Sequence, residues 1–128
     1  MSNHILIEKK INKFDKKIVV SSDKSISIRC VLLASQAVGI SKISNLLESE
    51  DVLNTLKAIK KLGIHYSKSG NNYMIEGFGL NGFDTQKNIT INAGNSGTLA
   101  RLILGLLVKS KKRVKLIGDE SLSKRDFS

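Results

Sequence analysis

Proline is absent from these 128 residues, and cysteine occurs once, at Cys30. A lone thiol excludes an internal disulfide and points to a reducing, cytoplasmic setting. No apolar run approaches the ~20 residues of a membrane span, and Met1–Lys10 lacks the basic-then-apolar layout of a secretory signal. His65 has no second histidine, cysteine or acid at ligand spacing, so no metal site is expected. Aromatic residues make up only 5% of the chain, and acids are outnumbered, 11 against 21 Lys and Arg, for a net charge of +10. Such an excess raises the question of nucleic acid. Yet the lysines are scattered and no nucleic-acid motif appears. The densest run, Lys109 to Lys115, joins a predicted helix to a predicted strand and suits a solvated loop. Small anionic substrates would account for part of the excess equally well.

What is present is ordinary for a globular protein: 41% hydrophobic and 25% charged residues. The length suits one domain that buries about two-thirds of its unfolded surface. Ile5–Ile11 and Lys17–Val20 predict two short strands. From Lys24 to Val38 the period becomes helical, with Ile28, Val31, Leu32 and Ser35 along one side and Gly39 as the stop. Ser25 and Arg29 stand four apart and share a face near the helix start, with Lys24 beside them. Basic groups in a first turn oppose the helix dipole at about 0.3–1 kcal/mol each. A bound anion would offset that cost; alternatively, both charges are simply solvated.

Ser41–Asn45 predicts a strand, and Ser49-Glu50-Asp51 opens an amphipathic helix with Val52, Leu56 and Ile59 as its stripe. Lys60-Lys61 before Gly63 close it, and the helix reads as scaffold. Ile64–Lys68 and Asn72–Glu76 flank Ser69-Gly70-Asn71, a hairpin signature. Gly77–Phe83 predicts a loop. Asn88–Ile91 then predicts a strand that passes through Ala93-Gly94-Asn95-Ser96-Gly97-Thr98 into Leu102–Val108, apolar on every side and expected to be a buried helix. Glycines there let a ligand approach the backbone, and the orphan amides of a helix start favour an anion. Arg101 lies one turn beyond Gly97. The plainer alternative is a cap, with Ser96 or Thr98 serving the amides and Arg101 reaching water. Val114–Ile117 is a further strand, followed by the polar stretch Gly118–Arg125. The stretches around Ser25 and Ser96 lie about seventy residues apart, which suggests an internal repeat.

Together, Asp23-Lys24-Ser25-Ile26-Ser27-Ile28-Arg29, Gly94-Asn95-Ser96-Gly97-Thr98-Leu99-Ala100-Arg101 and Gly118-Asp119-Glu120-Ser121-Leu122-Ser123-Lys124-Arg125 resemble the N-terminal motifs of the EPSP synthase family. Their order and spacing match, and Glu50-Asp51-Val52-Leu53 and Gly77-Phe78-Gly79-Leu80 fit between them. The resemblance implies an α/β (α+β) fold of repeated βαβαββ units, incomplete in this chain. Residues 1–20 would belong mainly to the family's other domain, and 21–128 would hold the first unit and part of the second. It implies a transferase of the shikimate pathway that moves the enolpyruvyl group of phosphoenolpyruvate to the 5-hydroxyl of shikimate 3-phosphate, releasing phosphate. Neither metal nor cofactor is implied. The main acid and base residues would lie outside this N-terminal portion.

By the same resemblance, Lys24 would contact both substrates, and Ser25 and Arg29 would hold shikimate 3-phosphate. Gly97 would offer its backbone to phosphoenolpyruvate, and Arg125 would pair with that ligand's anionic groups. Asn95, Thr98 and Arg101 would shape the loop. The sister family acting on UDP-N-acetylglucosamine has Asn after the motif lysine, and Ser25 here favours the shikimate enzyme. Ser22 stands where the family usually has Gly, Ile28 where it has His, and Asp126 where it has Pro. Expected partners are the two small molecules, with no nucleic acid and no membrane, in an enzyme that is a monomer when full length. A partial domain would leave unpaired strand edges and uncovered apolar faces. The alternatives are a phosphate-binding module without turnover and, from charge alone, a basic nucleic-acid-binding domain.

Overall fold

The computed structural model describes residues 20–80, 83, 85 and 87–126. The strands expected at Ile5–Ile11 and Lys17–Val20 lie outside them, apart from Val20, which is exposed and in no strand. The chain runs α1 (Lys24–Gln36), β1 (Val38–Ser44), α2 (Glu50–Lys61), β2 (His65–Ser69), β3 (Asn72–Phe78), β4 (Ile89–Asn92), α3 (Gly97–Leu106), β5 (Val114–Ile117) and α4 (Glu120–Ser123). The described order is thus αβαββ followed by βαβα. This is the mixed α+β architecture the motifs imply.

β1, β3 and β2 form an antiparallel sheet in that order, with Ile40, Glu76 and His65 in one row across it. β4 and β5 pair in parallel, as strands joined through a helix must. Alternation sorts β3: Tyr73, Ile75 and Gly77 are buried toward the helices, while Glu76 is exposed. His65 is exposed too, as a surface strand residue. The core joins Ile28, Val31 and Leu32 of α1 to Val52, Leu56 and Ile59 of α2, with Ile75, Ile91, Leu99 and Ile103. Each fully buried Ile or Leu contributes about 1.5–3 kcal/mol of transfer free energy. Gly77 lets α1 close on the sheet, because a Cβ there would fall 2.3 Å from the carbonyl oxygens of both Ala34 and Ala37.

Several boundaries differ from the sequence expectation. α1 ends at Gln36, and the chain turns at Ala37, whose amide donates to Ala34 O. Gly39 is therefore no helix stop; it sits inside β1 opposite Gly77 with φ +86°. The strand begins at Val38 rather than Ser41, and β3 runs through Gly77 and Phe78, which had been assigned to a loop. Ser49 holds the N-cap position of α2, but its hydroxyl makes no cap bond. α3 is buried along Gly97, Leu99, Ala100 and Ile103; Leu102 is 38% and Leu104 46% exposed. Within the described residues β1 and β2 are sheet edges, so both kinds of expected liability, open edges and uncovered apolar faces, are present.

Candidate functional site

Each of the three motifs begins at a capped helix. At α1 the cap is Asp23, whose Oδ1 accepts from the Ile26 amide at 2.7 Å. Lys24 is exposed, and its Nζ lies 2.9 Å from Asp51 Oδ2 in the first turn of α2. Arg29, also exposed, gives Nη1 to the Ser25 carbonyl at 3.1 Å, so the two residues share a face as their spacing requires. Ser27, on the buried side, accepts from the Leu47 amide at 3.1 Å and ties α1 to the approach of α2.

At α3 the cap is Ser96, not Thr98. Its buried Oγ accepts from the Leu99 amide at 3.1 Å, an arrangement that contributes about 1 kcal/mol. Gly97 is the first helical residue, and its φ lies outside the left-handed region. What it lacks is a side chain where two guanidiniums converge. A Cβ on Gly97 would lie 2.8 Å from Arg125 Nη1 and 3.3 Å from Arg101 Nη1. Arg101 gives Nη2 to the Asp126 carbonyl at 3.2 Å rather than only reaching water.

The third motif is fastened to the second. Asp119 caps α4 by accepting from the Leu122 amide at 2.7 Å, and its own amide donates to Gly94 O at 2.9 Å. Asn95 Nδ2 donates to Asp119 Oδ2 and Asn95 Oδ1 accepts from Arg125 Nη2, both at 2.8 Å. Leu122 buries beneath this turn, 3% exposed.

The first turns of α2 connect the motifs. Asp51 holds Lys24 on one side, while Gly94 lies against Asn54 and Glu50 on the other. α1 also meets α3 directly, where Arg29, Leu32 and Leu33 line one groove with Leu102 and Leu106. Lys24, Ser25 and Arg29 thus gather at the start of α1, and Gly97, Arg101 and Arg125 at the start of α3, and each group reaches α2, the first through Asp51 and the second through Gly94 beside Asn54. Sequence reasoning had read α2 as scaffold and so missed Asp51 and Asn54. The available signal was an acid pair at a helix start close behind a basic motif, which the helix dipole alone seemed to explain. Among the described residues no group of three or more His, Cys, Asp or Glu is placed to hold a metal, and no helix is long and apolar enough to cross a membrane.

This geometry defines a class: an α+β scaffold that gathers lysine and arginine side chains from separate loops at capped helix starts. The EPSP synthase (3-phosphoshikimate 1-carboxyvinyltransferase) family model matches residues 8–126. Among curated relatives, the 3-phosphoshikimate 1-carboxyvinyltransferase of Ruthia magnifica is 47% identical over 120 residues, covering 93% of this chain and 27% of its own length. That of Streptococcus pyogenes strain NZ131 is 48% identical over 108 residues, covering 84% of this chain and 25% of its own. The solved EPSP synthase from Acinetobacter baumannii is similar at TM-score 0.75 and 34% identity over 88% of this chain and 26% of that one. The chain belongs to the EPSP synthase family. It spans about a quarter of the length of the curated relatives it matches.

Proposed function

We propose that this segment is the N-terminal portion of an enzyme that transfers the enolpyruvyl group of phosphoenolpyruvate to the 5-hydroxyl of shikimate 3-phosphate. The products are 5-enolpyruvylshikimate 3-phosphate and phosphate: the hydroxyl oxygen replaces the phosphate oxygen on the enolpyruvyl carbon, and the hydroxyl proton ends on the released phosphate. One observation supports the reading: the second and third motifs are hydrogen-bonded to each other through Asn95, Asp119 and Arg125, and the first is tied to the start of α2 through Lys24 and Asp51. Ser25 and Arg29 hold the phosphate of shikimate 3-phosphate, and Lys24 reaches both substrates. The Gly97 amide and the Arg125 guanidinium receive phosphoenolpyruvate, while Asn95, Thr98 and Arg101 shape the loop. Charge-assisted bonds of this kind contribute about 1.5–3 kcal/mol each. Phosphate release needs acid and base groups around the reacting atoms, and these are supplied by the larger part of the protein.

Residues 21–128 make the first repeat unit and part of the second, and residues 1–20 serve mainly the other domain. The partners are the two small molecules, without nucleic acid, in a monomeric cytoplasmic enzyme; the single cysteine suits that compartment. The test is phosphate release from phosphoenolpyruvate and shikimate 3-phosphate. The complete polypeptide carrying this segment releases phosphate and its Lys24→Ala variant does not, while the 128-residue chain alone shows no turnover. A complete polypeptide that binds neither substrate would overturn the reading.

A further inference from the structure

Arg125 is the cation nearest Gly97, yet it sits on an exposed stretch after a helix of a single turn. A long side chain there has rotamer freedom to lose before it can serve as a fixed donor. What fixes it is a relay of two side chains. Arg125 Nη2 donates to Asn95 Oδ1, and Asn95 Nδ2 donates to Asp119 Oδ2.

We infer that Asp119 is the positioning residue for Arg125, acting through the side-chain amide of Asn95. An ionised carboxylate offers acceptors only, so it takes the NH2 end of the amide. The carbonyl end then faces Arg125, which offers donors only. With Asp119 in place, the amide has one orientation that satisfies both neighbours. The carboxylate is itself anchored: Oδ1 accepts from the Leu122 amide, the Asp119 amide donates to Gly94 O, and its carbonyl accepts from the Ser123 amide. Gly94 adjoins Asn95, so Asp119 grips the loop and its amide together. The arrangement also keeps the acid one residue behind the cation. A carboxylate bonded directly to Arg125 would neutralise the charge that an incoming anion needs, whereas a neutral amide between them orients the guanidinium and leaves its charge available. The inference rests on the assignment of Arg125 to the phosphoenolpyruvate side of the proposed site.

Asp119→Asn separates orientation from capping, because Asn caps a helix as well as Asp does but can present either end to Asn95. In the complete polypeptide carrying this segment, calorimetry is expected to show phosphoenolpyruvate affinity falling about tenfold in Asp119→Asn. Shikimate 3-phosphate affinity and melting temperature should be unchanged. Asn95→Leu should cause a similar loss, and the double variant no further loss, since both cut one relay. In the ligand-free protein, the Arg125 Nη–H resonances should be resolved in the wild type and averaged by rotation in Asp119→Asn. Unchanged phosphoenolpyruvate affinity, additive losses in the double variant, or equal loss of both substrates with a lowered melting temperature would each overturn the inference. Should the wild type bind no phosphoenolpyruvate, the proposed function fails, and the guanidinium resonances still decide whether Asp119 positions Arg125.

Discussion

At the start of α1 the cap is an anion, Asp23, and a second acid, Asp51, touches Lys24 directly. At the start of α3 the cap is a neutral, buried hydroxyl, Ser96, and the acid Asp119 reaches Arg125 only through an amide. Both helices start from a short loop with a capping side chain, so the difference lies in the side chains gathered at the two starts. An anion reaching α1 must share Lys24 with a carboxylate already in place. One reaching α3 meets a guanidinium that is oriented but not neutralised. On the proposed function, the α1 start would take the phosphate of shikimate 3-phosphate in competition with Asp51 for Lys24, and the α3 start would take phosphoenolpyruvate beside an oriented Arg125.

The comparison breaks most severely at Gly118, where the third motif packs onto the second. A Cβ there would fall 2.3 Å from Leu122 Cδ2 and 2.8 Å from the Gly94 carbonyl oxygen. Backbone cannot yield cheaply, so Gly118→Ala is expected to destabilise by about 1–3 kcal/mol. Urea melts of the complete polypeptide would measure it. Anion affinity at the α3 start should fall, while the α1 start keeps its affinity in the molecules that remain folded. Unchanged stability would mean that the two motifs are not packed as described.

Next come the arginines. Arg29→Ala should weaken shikimate 3-phosphate binding, and Arg125→Ala phosphoenolpyruvate binding, each by about 1.5–3 kcal/mol. Calorimetry on both variants, each with both ligands, reads the cross terms. An Arg29 variant with unchanged affinity at unchanged stability would return Arg29 to a solvated helix position.

How far these helix starts were legible in the sequence follows from which interactions are local. Capping, dipole and periodicity act within a few residues, so α2, the hairpin around Gly70, β5 and the Ser25–Arg29 face could be read directly. Gly77 could not, because its need arises from α1 lying on β3, forty residues away in the chain, and Gly39 takes a left-handed φ of +86° inside β1. Leu102 and Leu104 read as buried because an all-apolar helix has no marked face; among the described residues α3 is buried along Gly97, Leu99, Ala100 and Ile103. At the site, the residue types and their spacing identified Lys24, Ser25, Arg29, Gly97 and Arg125. Asp51 and Asp119 are ordinary first-turn and cap acids when viewed locally, and their link to the cations exists only across elements.

A milder change probes the α3 start. Gly97→Ala keeps ordinary helical angles, so the fold should lose nothing and can gain about 0.4–1 kcal/mol through the unfolded state. The new methyl displaces the Arg125 and Arg101 termini, which are flexible, and narrows the approach to the Gly97 amide. The expected result is a raised Michaelis constant for phosphoenolpyruvate, a nearly unchanged one for shikimate 3-phosphate, and an unlowered melting temperature. Equal loss of both substrates with a lower melting temperature would remove Gly97 from the site and make it a backbone requirement.

The smallest effect belongs to a charge cluster that touches neither helix start and so serves as the comparison's control. Glu48 pairs with Lys68 and accepts from Tyr73 Oη at 2.9 Å, and these partners, Lys68 foremost, hold its carboxyl below the usual range. Lys68 is correspondingly raised by Glu48. A carboxyl lowered in the folded state stabilises above its unfolded pKa, and that contribution is lost as pH falls through the folded value; the raised lysine loses its share as pH rises through its own. Glu48→Gln keeps an acceptor for Tyr73 and removes the charge. Its melting temperature should lie slightly below wild type at neutral pH in low salt, and the gap should close in acid as wild-type Glu48 is itself protonated. Both substrates should bind as before. A change in either affinity would show that the charge balance at the helix starts extends beyond the residues in contact with Lys24 and Arg125.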